Sequence, residues 1–278
     1  VTDNQQAIFD ALHADLNKSP FETYETEIGI VLEEIRYLIA HLSKWAKPKR
    51  MSMPLTLFPA TGTVHAEPYG CVLIMSPWNY PFQLALDPLA GALAAGNCVV
   101  LKPSNYSPET SKVIQKIIRS IYPEKYVAVI EGGREANADL LEKHFDYIFF
   151  TGGTTVGRLV MESAAKHLTP VSLELGGKSP CIVDESADID LAARRIVWGK
   201  YLNAGQTCVC PDYVLAHKNI KHDLIERMQY WIERHYGKNP LDSPDYAKTI
   251  TDRHYERLNA LSDGKNPANG RLVCGSER

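Results

Sequence analysis

GCVLIMSPWNYPFQLALDPLAGALAAGNCVVLKPS, Gly70 to Ser104, decides the fold. Its first run, GCVLIMSP (70–77), and its last, NCVVLKPS (97–104), are short, β-rich and largely apolar. That composition suits strands covered on both faces of a sheet. Between them, PFQLALDPLAGALAAG has helical apolar spacing and closes on Gly96. A strand, a crossover helix and a second strand predict a parallel βαβ unit.

The pattern continues outward from there. YVAVIEG (126–132), YIFFTGG (147–153) and TPVSLELGG (169–177) read as three further strands. SPETSKVIQKIIRSIY, opened by Ser107 and Pro108, ANADLLEKH and TTVGRLVMESAAKH read as the helices between them. Five strands with helical crossovers predict an α/β fold with a doubly wound parallel sheet. After Gly177 the α/β style persists, with SPCIVD, a helix over Leu191 to Tyr201, a strand near Tyr213 to Ala216 and a helix around Asp223 to Tyr236. GRLVCGSER (270–278) reads as the start of a further element. Ahead of the sheet, Val1 to Ser19 reads as an amphipathic helix, with Ile8, Leu12 and Leu16 on one stripe. Ile28, Val31, Leu32, Ile35, Leu38, Ile39 and Leu42 mark a longer stripe before Pro48. Residues 48–69 carry no helical period, and TVHAEPYG (63–70) reads as an exposed strand or arm.

The chain has 278 residues, 45% of them hydrophobic, enough for one large domain or two ordinary ones. Its net charge of −3, with the signs mixed, gives no reason to expect a nucleic-acid partner. CVLIM (71–75), among the longest apolar runs, is far too short to span a bilayer. No secretory signal is read at the N-terminus, and the first residue is not Met, so the true start is expected to be missing or processed. Six cysteines, at 71, 98, 181, 208, 210 and 274, lack the spacing of a disulfide scaffold. A reducing compartment, the cytoplasm, is expected.

NAGQTCVC (203–210) sets two cysteines one residue apart. Cys-x-Cys is a poor chelate, the nearest histidine in sequence is His217, and no metal site is expected. A nucleophilic thiol needs exposure and close backbone approach, which Ala204 and Gly205 allow. Gln206 and Thr207 offer donors, and the Cys208 N–H points toward any oxyanion formed on its own sulfur. Two packed thiols explain the stretch equally well, and it leaves both readings open. Glu174 ends an apolar β run before Gly176 and Gly177, as a general base at a strand end would, or as a solvated carboxylate would. In FTGGTTVG, Gly152, Gly153 and Gly157 let the backbone approach a phosphate at a helix N-terminus, though the run is neither GxGxxG nor GxxxxGK[ST]. Lys102, at the end of another strand, can donate to ribose or phosphate. Asn79 of MSPWNYPF can donate to an oxyanion, and Trp78 offers a flat wall. These groups fall at the C-terminal ends of predicted parallel strands or just after them, where such sheets bind ligands.

SPWNYPF, LKPS, FTGGTTVG, LELGGKSP and NAGQTC, in this order and spacing, closely resemble the aldehyde dehydrogenase superfamily over essentially the whole chain. NKSPFETYETE and the CPDY after the cysteine look most like its class 3, fatty-aldehyde branch. The resemblance implies an NAD(P)-binding domain over residues 1–175, with 58–70 in an oligomerisation arm, and the first part of a catalytic domain over 176–278. It implies that Cys208 is the nucleophile, Glu174 the general base and Asn79 the partner of the Cys208 N–H in the oxyanion hole. Lys102 would hold the adenosine ribose, Gly152 to Gly157 would lie by the pyrophosphate, Leu175 would border the nicotinamide, and Trp78 would line the cofactor site. The reaction implied is oxidation of a medium- or long-chain aliphatic, or aromatic, aldehyde to the acid, through a thiohemiacetal and a thioester on the cysteine, with NAD or NADP.

Two other readings stand beside it: an acyl-CoA or acyl-phosphate reductase on the same fold, which Glu174 disfavours, and a non-catalytic fragment of the family. Asn105 takes the place of a ribose-binding Glu found in many class 3 members, and its neutrality favours use of both NAD and NADP. A homodimer is implied by the arm. Membrane anchoring of a full-length protein would rest on a C-terminal tail, since family members continue well beyond the 70 residues that follow Cys208 here. Cys210 has no family role. In an extended segment it would share a side with Cys208 and serve as its oxidation partner.

Overall fold

A computed structural model describes residues 1–262 and Val273. The chain starts with helices α1 (Gln5–Leu16), α2 (Pro20–Thr23) and α3 (Gly29–Trp45), with a π-helical turn at Tyr24–Ile28 ahead of α3. Strands β1 (Lys49–Met51) and β2 (Gly62–Val64) follow. Then come β3 (Cys71–Met75), α4 (Gln83–Ala94), β4 (Cys98–Lys102), α5 (Pro108–Ile121), β5 (Val127–Val129), α6 (Arg134–Leu141), β6 (Tyr147–Thr151), α7 (Thr154–Ala165) and β7 (Val171–Glu174). The remaining elements are β8 (Pro180–Val183), α8 (Ile189–Tyr201), β9 (Tyr213–Ala216), α9 (Lys221–Tyr236) and α10 (Asp252–Ser262). Contacts group the chain into two compact units. One holds Val1–Asn4, Glu25–Asn105 and Ser111–Glu174; the other holds Gln5–Tyr24, Tyr106–Thr110 and the described chain from Leu175 on.

In the first unit the five predicted strands form one parallel sheet, in the order β5-β4-β3-β6-β7. The strand order reverses between β3 and β6, the switch point beside which open α/β sheets hold ligands. Register decides what stands at that edge. Met75 lies opposite Lys102 on one side and Phe150 on the other, and Thr151 lies opposite Glu174. The loops after β3, β4 and β6 therefore leave the sheet level with one another. Leu73 and Leu101 are fully buried in the sheet, with Ile114 and Ile118 of α5, and Phe82 and Leu89, packed out of solvent as well. Each such side chain stabilises the fold by roughly 1.5–3 kcal/mol.

The long apolar stripe is buried only at its start. Ile28 and Val31 are inaccessible, whereas Ile39 is 74% exposed. Ile35, Leu38 and Leu42 face Leu86, Leu89 and Leu93 across an apolar groove of about 390 Å³. β1 and β2 pair as an antiparallel hairpin that is exposed along nearly its whole length, and Leu55 and Phe58 between them are exposed too.

In the second unit β8 and β9 pair in parallel, and α8 and α9 pack a core of Val183, Ala193, Ile196, Ile220 and Leu224. α8 begins at Ile189, earlier than apolar spacing alone indicates, because the Asp188 carboxylate caps it by accepting the Leu191 N–H at 3.0 Å. Ile8, Leu12 and Leu16 of α1 are fully buried, as their spacing predicts. Asn17 closes α1 in a left-handed conformation (φ 57°), and its side-chain amide donates to the Tyr246 carbonyl at 3.1 Å. The element expected from GRLVCGSER, and Cys274 with it, lies outside the described residues. No helix among the described residues is long and apolar enough to cross a membrane.

Candidate active site

At the sheet edge of the first unit, SPWNYPF carries the chain from β3 into α4. Phe82 caps α4 with a helical backbone and no capping side chain of its own. The fully buried Glu27 supplies the acceptor instead, taking the N–H groups of Phe82 at 3.0 Å and Gln83 at 2.8 Å. That contact fixes the loop in which Trp78 and Asn79 sit half-buried. One turn into α4, burial pushes the Asp87 carboxyl up to about 6 against the pull of its bond from Gln83.

Lys102 ends β4 almost completely buried, with its ammonium donating to the Pro103 carbonyl at 2.7 Å. Desolvation pulls its pKa down to about 8, opposed in part by the Glu131 carboxylate. Asn105 is exposed beside Gly133, where an added Cβ would stand 3.6 Å from the Asn105 amide nitrogen. Gly152 donates its N–H to the Glu174 carbonyl at 2.9 Å, and a side chain there would strike Phe150. Gly153 caps α7 with an extended backbone, and nothing lies within 4 Å of where its Cβ would be. Gly157 is buried in α7, and Glu174 is exposed at the end of β7.

In the second unit the chain leaves α8 through three consecutive left-handed residues, Asn203 (φ 51°), Ala204 (φ 52°) and Gly205 (φ 75°). A non-glycine residue held there costs roughly 1–2 kcal/mol, so the turn needs outside support. The buried Glu22 accepts the Asn203 N–H at 2.8 Å. Gln206 folds back, its N–H and its side-chain amide each 3.0 Å from the Asn203 carbonyl. The same amide donates to the Lys248 carbonyl at 3.0 Å and accepts the Ile250 N–H at 3.0 Å. Cys208 stands exposed on the turn so braced, as a free thiol. Beneath it lies Gly177, where a Cβ would come within 2.4 Å of the Cys208 carbonyl oxygen.

The two cysteines do not share a side. The stretch is a turn and not extended: the Cys210 N–H bonds back to the Thr207 carbonyl at 3.3 Å. Cys208 consequently faces solvent, while Cys210 is buried, its thiol donating to the Gly205 carbonyl at 3.4 Å with the Lys200 ammonium 3.6 Å from the sulfur. Cys210 braces the turn, so the expectation of an extended segment with both side chains on one side is corrected.

Within the first unit the structure brings Trp78, Asn79, Lys102, Gly152, Gly153 and Glu174 to one sheet edge. Within the second it brings Cys208 against the Leu175–Gly177 segment, through Gly177. Glu22 and Glu27 are absent from the sequence-derived candidates, Gly177 enters there only as a flank of Glu174, and Gln206, read as a donor beside the cysteine, instead braces the turn. Ser19-Pro20-Phe21-Glu22 does have the spacing of a helix-start capping box, which marks Glu22 as a carboxylate with a fixed place. Nothing in the local sequence marks Glu27.

The sheet edge fits a dinucleotide. The open side of Gly153 and the first-turn N–H groups of the 12-residue helix α7 form a cradle that a phosphate can enter and that a side chain would narrow. Lys102 and Asn105 end the neighbouring strand region as polar donors.

Residues 1–278 match the aldehyde dehydrogenase family. The chain is 48% identical over 254 residues to the 4,4'-diaponeurosporen-aldehyde dehydrogenase of Staphylococcus aureus, an alignment that covers 91% of this chain and 55% of that protein. It is 43% identical over 270 residues to a mouse protein named aldehyde dehydrogenase, dimeric NADP-preferring, covering 97% of this chain and 60% of the relative. The substrate-bound structure of Staphylococcus aureus AldH superposes with a TM-score of 0.92 at 46% identity, over 94% of this chain and 57% of that one. The chain thus spans little more than half the length of these relatives.

Proposed function

The chain belongs to the aldehyde dehydrogenase family, and from that premise we propose that the whole protein oxidises an aldehyde to its carboxylic acid. One observation carries the reading. The exposed thiol of Cys208 is presented by a braced turn whose backbone rests on Gly177, three residues after Glu174. The Cys208 sulfur attacks the aldehyde carbonyl. The Asn79 side-chain amide and the Cys208 N–H donate to the oxyanion. A bound nicotinamide cofactor supplies the hydride acceptor. Glu174, solvent-facing at a strand end, takes a proton from the water that releases the acid from sulfur. The same carboxylate disfavours an acyl-CoA or acyl-phosphate reductase, in which a thiol or phosphate replaces that water.

Family members use NAD(P). Here Gly152, Gly153 and Gly157 would approach the pyrophosphate, Lys102 and Asn105 the adenosine ribose, and Trp78 and Leu175 would border the bound molecule. Asn105 brings no negative charge to a 2′-phosphate, so both NAD and NADP serve. The mouse relative named NADP-preferring supports that use. The substrate is a medium- or long-chain aliphatic, or aromatic, aldehyde, in line with the relative named for a diaponeurosporen aldehyde. The protein acts in the cytoplasm as a homodimer joined through the exposed arm at residues 58–70, which contains β2, with residues 1–175 as cofactor domain and 176–278 as the first part of the catalytic one.

The test is Cys208→Ala in the whole protein. Turnover falls by at least about 10⁴-fold, on the scale of losing a catalytic nucleophile, while NADP binding by fluorescence titration is unchanged. Aldehyde oxidation surviving in that variant overturns the reading.

A further inference from the structure

We propose that Glu22 is a positioning residue for Cys208, acting through the main chain of Asn203; this rests on the nucleophile reading above. The geometry begins at the start of α2. Ser19 accepts the Glu22 N–H on its hydroxyl at 3.3 Å, and Pro20 occupies the first helical turn. Those two residues fix the backbone of Glu22. Its side chain, in a residue only 5% exposed, then reaches the Asn203 N–H at 2.8 Å, across 181 positions of sequence.

What the carboxylate holds makes the contact consequential. Asn203 is fully buried and is the first of the three left-handed residues. It follows Leu202, whose extended ψ of 131° ends the helical path of α8. A buried N–H at such a break must find an acceptor, and an ionised carboxylate is a stronger one than a carbonyl. Conformations this sparsely populated persist only where the surroundings over-determine them. Downstream, Gln206 and the Cys210 thiol provide two of the constraints. Glu22 provides the upstream one, five residues before Cys208. The Tyr236 phenol lies close enough that the Glu22 charge adds to burial in holding its proton on.

Loss of the upstream constraint lets the turn relax toward right-handed backbone and shifts the sulfur. A displacement of about 1 Å in a reacting group costs about a hundredfold in rate. The contribution of Glu22 therefore appears in the chemical step. Cofactor binding belongs to the sheet edge of the first unit and does not sense it.

The experiment compares Glu22→Ala and Glu22→Gln in the whole protein. It reads kcat, NADP affinity and hydrogen exchange of the peptide 203–210. In Glu22→Ala, exchange across 203–210 accelerates at least tenfold and kcat falls at least tenfold, with NADP affinity within twofold of wild type. In Glu22→Gln, which keeps an oxygen acceptor at the same place, both recover to within about threefold. The proposal is overturned if Glu22→Ala leaves exchange at 203–210 unchanged, if exchange accelerates while kcat holds, if NADP affinity falls in parallel with kcat, or if Glu22→Gln is as impaired as Glu22→Ala. Cys208→Ala, measured alongside, separates the two readings. Full activity there removes the nucleophile assignment and with it the catalytic part of this proposal, while the exchange data still report whether Glu22 holds the turn.

Discussion

At the edge of the five-stranded sheet, strand register brings Met75, Lys102, Thr151 and Glu174 to the ends of their strands without help from any single side chain. Around Cys208 nothing regular plays that part. Two non-glycine residues and a glycine run left-handed, and the turn stands because Glu22, Gln206 and Cys210 supply bonds to it from different directions. The first construction spreads its specification over the buried apolar residues of its strands and crossover helices. The second concentrates it in a handful of buried polar contacts. A sheet edge of the first kind tolerates change gradually, whereas a turn of the second kind fails at single atoms. The glycines show the contrast most sharply, since Gly153 faces open space and Gly177 has the Cys208 carbonyl where a side chain would begin.

The largest effect that tests this contrast is Gly177→Ala. The added carbon would come within 2.4 Å of the Cys208 oxygen, and that oxygen is backbone, so the nucleophile's own main chain must move. We expect kcat to fall about a hundredfold with NADP affinity unaltered. Wild-type kcat in this variant would mean that the turn adapts as freely as a sheet edge.

Next in size is Asn105→Glu at the sheet edge. A carboxylate within about 4 Å of a 2′-phosphate costs roughly 1–4 kcal/mol in a partly solvated site, so the ratio of kcat/KM for NADP over NAD should drop at least tenfold. In the unaltered protein neither cofactor should lead by more than about a hundredfold. A strong NAD preference there would remove Asn105 from the cofactor site.

Gly153→Ala is expected to do less. Its backbone is extended and its surroundings are empty, so stability and kcat should hold while the KM for NADP rises only a few-fold. A drop in melting temperature would show that Gly153 is packed as tightly as Gly177. An unchanged KM would show that no phosphate sits over α7.

The same contrast governs how much could be read from sequence. The strands near 71, 98, 127, 147 and 171 were legible because each is a short apolar, β-rich run, most nearly buried on both faces in β3 and β4, and because Gly96 and Pro108 punctuate the helices between them. Asn79, Lys102, Glu174 and Cys208 were legible as candidates because they end those runs or follow glycine. The shape of the turn was not. Its left-handed residues include Asn203 and Ala204, and neither letter demands that backbone. Its brace from Glu22 comes from a helix start 181 positions away. For the same reason Cys210 read as lying on the same side as Cys208: alternation along a strand is a local rule, and the Cys210 to Thr207 bond that breaks it depends on the packing of the whole turn. The apolar stripe from Ile28 to Leu42 misleads differently, since periodicity marks a face and cannot say what covers it.

Lys102 is the place where the sheet edge behaves like the turn, and it gives the smallest and most diagnostic effect. Its ammonium is buried, and burial lowers its pKa from 10.5 to about 8. Between those two pH values the unfolded chain holds the proton that the folded chain has released, so stability rises as pH climbs through the window. Below about pH 8 both states are protonated, and the full cost of burying the charge is present. Lys102→Met removes that cost. At pH 7 the variant should therefore melt a few degrees higher than wild type, and the margin should close as pH rises from about 8 toward 10.5. NADP should bind it more weakly at every pH, because the donor is gone. A residue kept at a cost to stability and yielding affinity in return is what a binding site requires of a sheet edge. A melting-temperature margin that stays constant with pH would instead make Lys102 an ordinary strand-end lysine, and the difference between the two regions would then be complete.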